Sequence, residues 1–391
     1  MTLFAPQREV LRQRGVRRLL AIGLIGRLPI GMTALGLILL LRGAHRSYAL
    51  AGLADGGFAV GVGLAQPTLG RLVDRLGLRR VMLPLAPAFP VGLVAVALAG
   101  SGHASGGVIV GLGFVTGALC PPIGAAMRAI WPRLVPDELR ATAYSVEAVV
   151  QEFTFIVGPP AVAALAAGTS PRDAIFIVAA LGAAGAGGFA LLAHGATERR
   201  PPIPARALDS IAARLVLALS LLLGASFGAE EIAMPAFAEH HGARAAAGAL
   251  LAALALGSLI GGVLFGTRMT ESNVISRLER GLLLCGLAVV PLFAARSLAA
   301  MGALMILAGL PIAPTFAAQY LLLDRVSIPG TATETFAWNT TAIFAGAALG
   351  NALGGVLIAA SNYRASLALA FAFASLGGLL AFSRSHNLPV E

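Results

Sequence analysis

The sequence predicts an all-α membrane protein of about twelve transmembrane helices in two pseudo-symmetric six-helix bundles. Three observations lead there. Apolar residues fill 58% of the 391 positions and charged residues only 12%, against about 25% charged in a soluble domain. The apolar residues lie in long runs, each near the ~20 residues that span a hydrocarbon core. The longest polar break, 194–213, falls at the middle of the chain.

The first six runs cover 16–41, 48–69, 81–99, 105–130, 141–167 and 174–193. After the break come 215–238, 245–267, 280–295, 299–323, 331–360 and 367–382; the ninth, 280–295, is short. The expected domains are an N-terminal six-helix bundle, 1–194, with a short cytoplasmic N-terminal segment, a cytoplasmic linker, 195–213, and a C-terminal six-helix bundle, 214–391. Gly158-Pro159-Pro160-Ala161-Val162-Ala163 in the fifth run and Gly350-Asn351-Ala352-Leu353-Gly354-Gly355 in the eleventh occupy matching places. Such parallel repeats are typical of transporters whose halves rock around a central site.

The net charge is +10, but nucleic-acid binding is not expected. The arginines form short clusters between apolar runs, as in cytoplasmic loops of membrane proteins. With the N-terminus inside, only Arg42, Arg46, Arg172, Arg244, Arg296 and Arg364 face outward, and Arg27 lies within a helix. All other arginines are then cytoplasmic, as are both termini. The basic stretch 1–18 reads as a segment lying on the membrane surface rather than a cleaved signal peptide. Arg-only basic usage with abundant Ala and Gly points to a GC-rich bacterial genome, hence the bacterial inner membrane.

All 28 basic residues are Arg. A phosphate-binding P-loop and a Schiff-base lysine are therefore excluded. The sequence has no His-Glu-x-x-His, no paired metal ligands and no recognisable Ser-His-Asp constellation. No enzyme activity, cofactor or metal is expected, and no loop is long enough for a sensor domain. Cys120 and Cys285 lie inside apolar runs as small packing residues. His240-His241 reads as a solvated pair in an outer loop.

Between the second and third runs stands Gly70-Arg71-Leu72-Val73-Asp74-Arg75-Leu76-Gly77-Leu78-Arg79-Arg80. It resembles the cytoplasmic loop signature of the major facilitator superfamily, Gly-x-Leu-x-Asp-Arg-x-Gly-Arg-Arg, with Leu78 in place of an Arg. The resemblance implies a gating loop of Gly70, Asp74, Arg75, Gly77, Arg79 and Arg80 that latches the two halves in the outward-facing state. Gly70 would allow close helix approach, Gly77 the turn, and Asp74 would accept from helix N-terminal amides or from an Arg near helix eleven. Helix five also resembles the Gly-x8-Gly-x3-Gly-Pro-x2-Gly-Gly pattern of family exporters that exchange drug for proton. Only the Gly158-Pro159 core is kept; Ser145, Thr154, Val162 and Ala163 fill the other positions. Pro159 is expected to bend the helix. The mid-helix-four arginine of such antiporters is not evident.

Ionisable groups inside hydrocarbon are costly and so become functional candidates. These are Arg27 in helix one, Asp55 in helix two, Glu147 and Glu152 in helix five, and Glu230 and Glu231 in helix seven. At about 1.5 Å per residue, Arg27 and Glu152 reach similar depths and are expected to pair. Asp55 with Glu230 or Glu231 is expected to form a proton site reached from outside. Asn339 is the counterpart of Glu147 in helix eleven, and Glu334 reads as interfacial. Gln66, Gln151, Gln319, Tyr320, Trp338 and Asn351 read as interhelical hydrogen-bonding or interfacial residues.

The expected function is proton-coupled efflux of a small amphipathic or cationic organic compound by alternating access. Proton-coupled import of a small metabolite is the alternative, with a membrane sensor or enzyme behind it. The expected partners are that substrate, protons and the lipid bilayer, with the protein a monomer.

Overall fold

The computed structural model describes residues 5–193, 205–243, 246–265 and 274–384, which contain helices and connections but no strand. The expected linker therefore lies largely outside the described residues. A short surface helix, α1 (Ala5–Arg12), precedes α2 (Val16–Gly43), α3 (Tyr48–Leu76), α4 (Leu78–Ser101), α5 (Gly106–Ala118), α6 (Ile123–Leu134), α7 (Asp137–Gly168) and α8 (Pro171–Leu192). A 3-10 turn, Ala207–Asp209, leads into α9 (Ile211–His240), α10 (Ala247–Phe265), α11 (Val274–Val289), α12 (Leu298–Gly309), α13 (Ile312–Val326), α14 (Ala332–Ala360) and α15 (Tyr363–Arg384).

Local chemistry sets several boundaries. The hydroxyls of Ser47, Ser105, Ser170, Ser210 and Ser297 each accept from an amide three residues on, capping α3, α5, α8, α9 and α12. Gly77, at φ 88°, separates α3 from α4 in a backbone region that favours glycine. This is the turn expected of the loop motif.

Eleven spans among the described residues are long and apolar enough to cross a membrane. The chain is a multi-pass membrane protein whose exterior carries exposed apolar side chains such as Leu64, Val91, Val356 and Phe382. The expected ninth span differs from the rest. Its α-helix stops at Val289, and Val290–Ala294 continues as 3-10 helix around Pro291. Two other spans are each built from two helices. The fourth breaks at Cys120-Pro121-Pro122 and the tenth at Leu310-Pro311, where proline supplies no amide to the ladder. Gln66 of α3 donates to the Cys120 carbonyl at the first break (3.1 Å), the interhelical role expected of it.

In lipid, helices associate through close packing rather than water exclusion, so small residues at contacts matter. The pairing repeats along the chain. Contacts α2–α7, α2–α8, α3–α5 and α4–α8 have counterparts in α9–α14, α9–α15, α10–α12 and α11–α15. The sets α2–α8 and α9–α15 meet mainly through α3–α14, α7–α13, α7–α10 and α6–α14.

The apolar core records how these sets meet. At the end holding both termini, one continuous core runs from Val10, Leu78, Trp131 and Tyr144 to Leu219, Tyr320, Phe336 and Ala381. At the far end there are two separate cores. One contains Met32, Phe58, Phe89 and Val178; the other contains Met234, Phe237, Leu292 and Leu367. The two sets are thus packed together at the terminus-bearing end and have no common core at the other.

Candidate transport site

Three side chains of α2, α6 and α7 meet in the interior. Arg27 reaches Glu147 with Nη1–Oε1 at 2.8 Å and Nη2–Oε2 at 3.4 Å. Arg128 lies on the other side, with Nε 3.7 Å from Glu147 Oε1. All three are buried, at 3%, 4% and 0% exposure for Arg27, Arg128 and Glu147. Arg128 also donates to Gln151 Oε1 (3.1 Å) and Thr340 Oγ1 (3.4 Å), and its guanidinium lies 4.3 Å from the Tyr320 ring centroid. It therefore joins α6 and α7 to α13 and α14.

The expected Arg27–Glu152 pair is not formed. Depth alone suggested it, but a helix turns about 100° per residue, so Glu147 and Glu152 point in different directions. Glu147 faces α2, whereas Glu152 is half-buried and lies toward Ser258 of α10. On sequence, Arg128 counts among the cytoplasmic arginines and no mid-helix-four arginine is evident. The helix continues to Leu134 beyond the break and draws Arg128 inside.

A second polar triad joins α9, α13 and α14, the elements that correspond to α2, α6 and α7 in the repeated pairing. Ser220 donates to Asn339 Oδ1 (2.7 Å), and Gln319 Nε2 donates to Ser220 Oγ. Asn339, the expected counterpart of Glu147, is one of the triad's members. The first triad is charged and the second neutral.

The outer carboxylates divide as helical geometry requires. Glu230 is buried at 4% exposure and accepts from Ser226 (3.5 Å) beside α15. Glu231, on an exposed face, lies toward Asn351 and within electrostatic reach of Asp55. Asp55 is therefore brought near Glu231 rather than Glu230.

The loop between α3 and α4, expected to gate, joins the two sets at the terminus-bearing end. Asp74 accepts from the amides of Thr333 (3.1 Å) and Glu334 (2.8 Å) at the start of α14, where unpaired amides and the helix dipole favour an anion. Arg71 pairs with Glu334 at 3.4 Å. Glu334 is only 6% exposed, so it is a buried contact of the loop and not the interfacial residue expected. A Cβ on Gly70 would lie 2.8 Å from the Thr333 carbonyl oxygen, which explains glycine there. Arg75, Arg79 and Arg80 are exposed. Removing the Asp74 carboxylate in Asp74→Ala should weaken this contact by about 1 kcal/mol. The expected readout is roughly fivefold faster thiol labelling of a cysteine at buried Ala337; an unchanged rate would show that the contact does not hold this end closed.

Gly158 of α7 packs against the backbone of Gly31 in α2, and a Cβ there would lie 2.7 Å from the Gly31 carbonyl carbon. Helix α7 runs through Pro159 and Pro160 as one unbroken element.

Repeated helix pairing, a loop that clasps the start of α14 and buried charge between the two sets define a membrane transporter. The Major Facilitator Superfamily profile matches residues 19–342, and the chain belongs to that superfamily. The fold is shared with solved structures at low identity. The human organic anion transporter MFSD10 (TETRAN) has a TM-score of 0.72 and 18% identity over 93% of this chain and 99% of its own. A bacterial homologue of the iron transporter ferroportin, in its outward-facing state, has a TM-score of 0.77 and 15% identity over 95% of this chain and 100% of its own. The same homologue with soaked iron gives 0.76 and 15%, over 94% and 98%. No curated protein sequence matches the chain.

Proposed function

We propose that the chain is a secondary active transporter that exports a small amphipathic organic compound in exchange for protons. Residues 1–194 and 214–391 form two six-helix bundles, twelve spans in all with α11 and its 3-10 extension as the ninth, joined by the linker 195–213. They rock about the buried charges to give alternating access. The observation that carries the reading is the continuous core at the terminus-bearing end with separate cores at the other. With the termini in the cytoplasm of a bacterial inner membrane, as the arginine bias supports, this is an outward-facing state. The ferroportin homologue of similar fold was also solved outward-facing. The protein acts as a monomer, with its small-molecule substrate, protons and the surrounding lipid as partners.

Proton coupling draws on carboxylates that form no ion pair among the described residues, namely Glu152, Glu230, Glu231 and Asp55. A carboxylate of this kind carries a proton in one step and releases it in another. The close Gly158–Gly31 contact supports the exporter reading, because it gives the retained Gly-Pro core of helix five a packing role. Proton-coupled import is the second reading, and Glu147 favours it. Protonating a carboxylate shared by two arginines leaves cationic groups that an incoming anion would satisfy, so proton and anion would travel together.

The test is substrate-triggered proton movement by purified protein in proteoliposomes with an imposed pH gradient, screened with lipophilic cations, anions and neutral compounds. The exporter reading expects protons to move opposite to substrate, with coupling lost in Glu152→Gln or in Glu231→Gln. Movement in the same direction would establish import. Unchanged coupling in Asp55→Asn, Glu152→Gln, Glu230→Gln and Glu231→Gln alike would remove these carboxylates from the mechanism.

A further inference from the structure

We infer that the transported compound carries an anionic group, a carboxylate, sulfonate or phosphate, which binds the guanidinium of Arg128 between the two bundles. The inference deepens the transport reading and rests on it in either direction. It keeps the amphipathic compound expected from the sequence and sets aside the cationic alternative.

Two buried guanidiniums, those of Arg27 and Arg128, share the single carboxylate of Glu147. Arg27 holds that carboxylate closely at 2.8 Å, whereas Arg128 approaches it only at 3.7 Å through Nε. Arg128 Nε has no hydrogen-bond partner, and its two Nη groups meet only the neutral oxygens of Gln151 and Thr340. A buried cation without a close counter-ion is expensive in a low-dielectric interior.

Among the described residues Arg128 forms an ion pair with Glu147 alone. Glu152 lies toward Ser258 and pairs with no arginine among the described residues. Glu334 is paired with Arg71 at the terminus-bearing end, and Glu230 sits with Ser226. Asp55 and Glu231 lie together on the far side. The polar triad of α9, α13 and α14 is neutral, being Ser220, Gln319 and Asn339.

The geometry around Arg128 fits an amphipathic anion. A guanidinium fork matches the two oxygens of a carboxylate, or two of a sulfonate or phosphate, and binds them more strongly than neutral acceptors. Such a group would take the places of Gln151 Oε1 and Thr340 Oγ1 on the two Nη groups. Beside Arg128, the Tyr320 ring is stacked on Phe316 and meets the edge of Phe336, at centroid separations of 5.8 and 6.3 Å. These rings are buried in the core at the terminus-bearing end, so the apolar body of the compound would meet them as that core opens. Arg128 and Gln151 belong to the first bundle, and Thr340 and Tyr320 to the second. An anion held there bridges the surfaces that rocking would part.

The experiment is titration calorimetry on the purified full-length protein with matched naphthalene ligands. These are naphthoate, naphthalenesulfonate and naphthyl phosphate as anions, and naphthylmethylammonium as the cation. At least one anion is expected to bind and the cation not to. Gln151→Glu places a carboxylate beside Arg128, supplies the missing counter-ion without removing a buried charge, and should weaken anion binding about tenfold or more. Arg128→Gln should abolish it and Arg128→Lys retain part, because a lysine keeps the charge and loses the fork. A merely structural role for Arg128 would not make Gln151→Glu selective against anions. The inference is overturned if none of the three anions binds, or if anion binding survives both Arg128→Gln and Gln151→Glu. Proton-coupled flux of a lipophilic cation without anion binding would sink the inference and leave the transport reading standing. Anion binding without proton-coupled flux of any compound would do the reverse.

Discussion

Glu147→Gln is expected to destabilise the protein by about 3–5 kcal/mol, the cost of removing one partner from a buried ion pair. Both Arg27 and Arg128 depend on this one carboxylate, and both are almost fully buried. The amide keeps the shape of the side chain and removes its charge, so the loss reports charge rather than packing. Thermal unfolding of the purified protein measures it. Adding Arg27→Gln to Glu147→Gln removes one orphaned cation, and the double variant should recover part of the loss. If Glu147→Gln unfolds with the parent, the cluster contributes nothing to stability and its charges are not buried as described. If instead the double variant is less stable by the sum of the single losses, the two side chains do not act as a pair.

The second large effect is expected at Gly158. Valine there would drive its Cβ into the backbone of Gly31, which belongs to a regular helix and has no flexible end to give way. Overpacking of this kind costs about 1–3 kcal/mol, and here it also wedges α2 from α7. Since α2 carries Arg27 and α7 carries Glu147, the displacement should reduce transport together with stability. Gly355 is the internal control: it lies in α14, and a Cβ there meets nothing within 4 Å. Gly355→Ala is expected to be neutral or slightly stabilising, since alanine favours helix. Loss at Gly355 as large as at Gly158 would mean that helix glycines matter for flexibility and not for close approach.

The long apolar runs announced most of the helices, because length and hydropathy are one-dimensional properties that survive without a structure. The loop motif announced its own partners, since a carboxylate at Asp74 and a glycine at Gly70 both anticipate a helix start close by. What the sequence did not disclose was rotational. Depth along a helix placed Glu152 level with Arg27, but which face each residue occupies depends on a few degrees per residue summed over several turns. The same limit hid Arg128, whose burial depends on α6 continuing past the proline break. One signal was present in the spacing, because setting Gly158 against Gly350 puts Glu147 opposite Asn339, the α14 side chain that Ser220 meets. Glu334 was misjudged for a related reason, as a helix start is exposed only when nothing caps it.

The claim that the two bundles rock about this site is tested most directly by electron-spin distance measurements on the full chain in lipid. The two cysteines, both buried, are first replaced by alanine. Labels at exposed His103 and Arg296 report the far end, and labels at exposed Arg79 and Pro329 report the terminus-bearing end. Combining Arg71→Ala with Asp74→Ala removes the polar contacts that the gating loop makes with Thr333 and Glu334. The account predicts that the Arg79–Pro329 distance then lengthens while the His103–Arg296 distance shortens. Distances that stay fixed at both ends, or that lengthen together, would contradict alternating access.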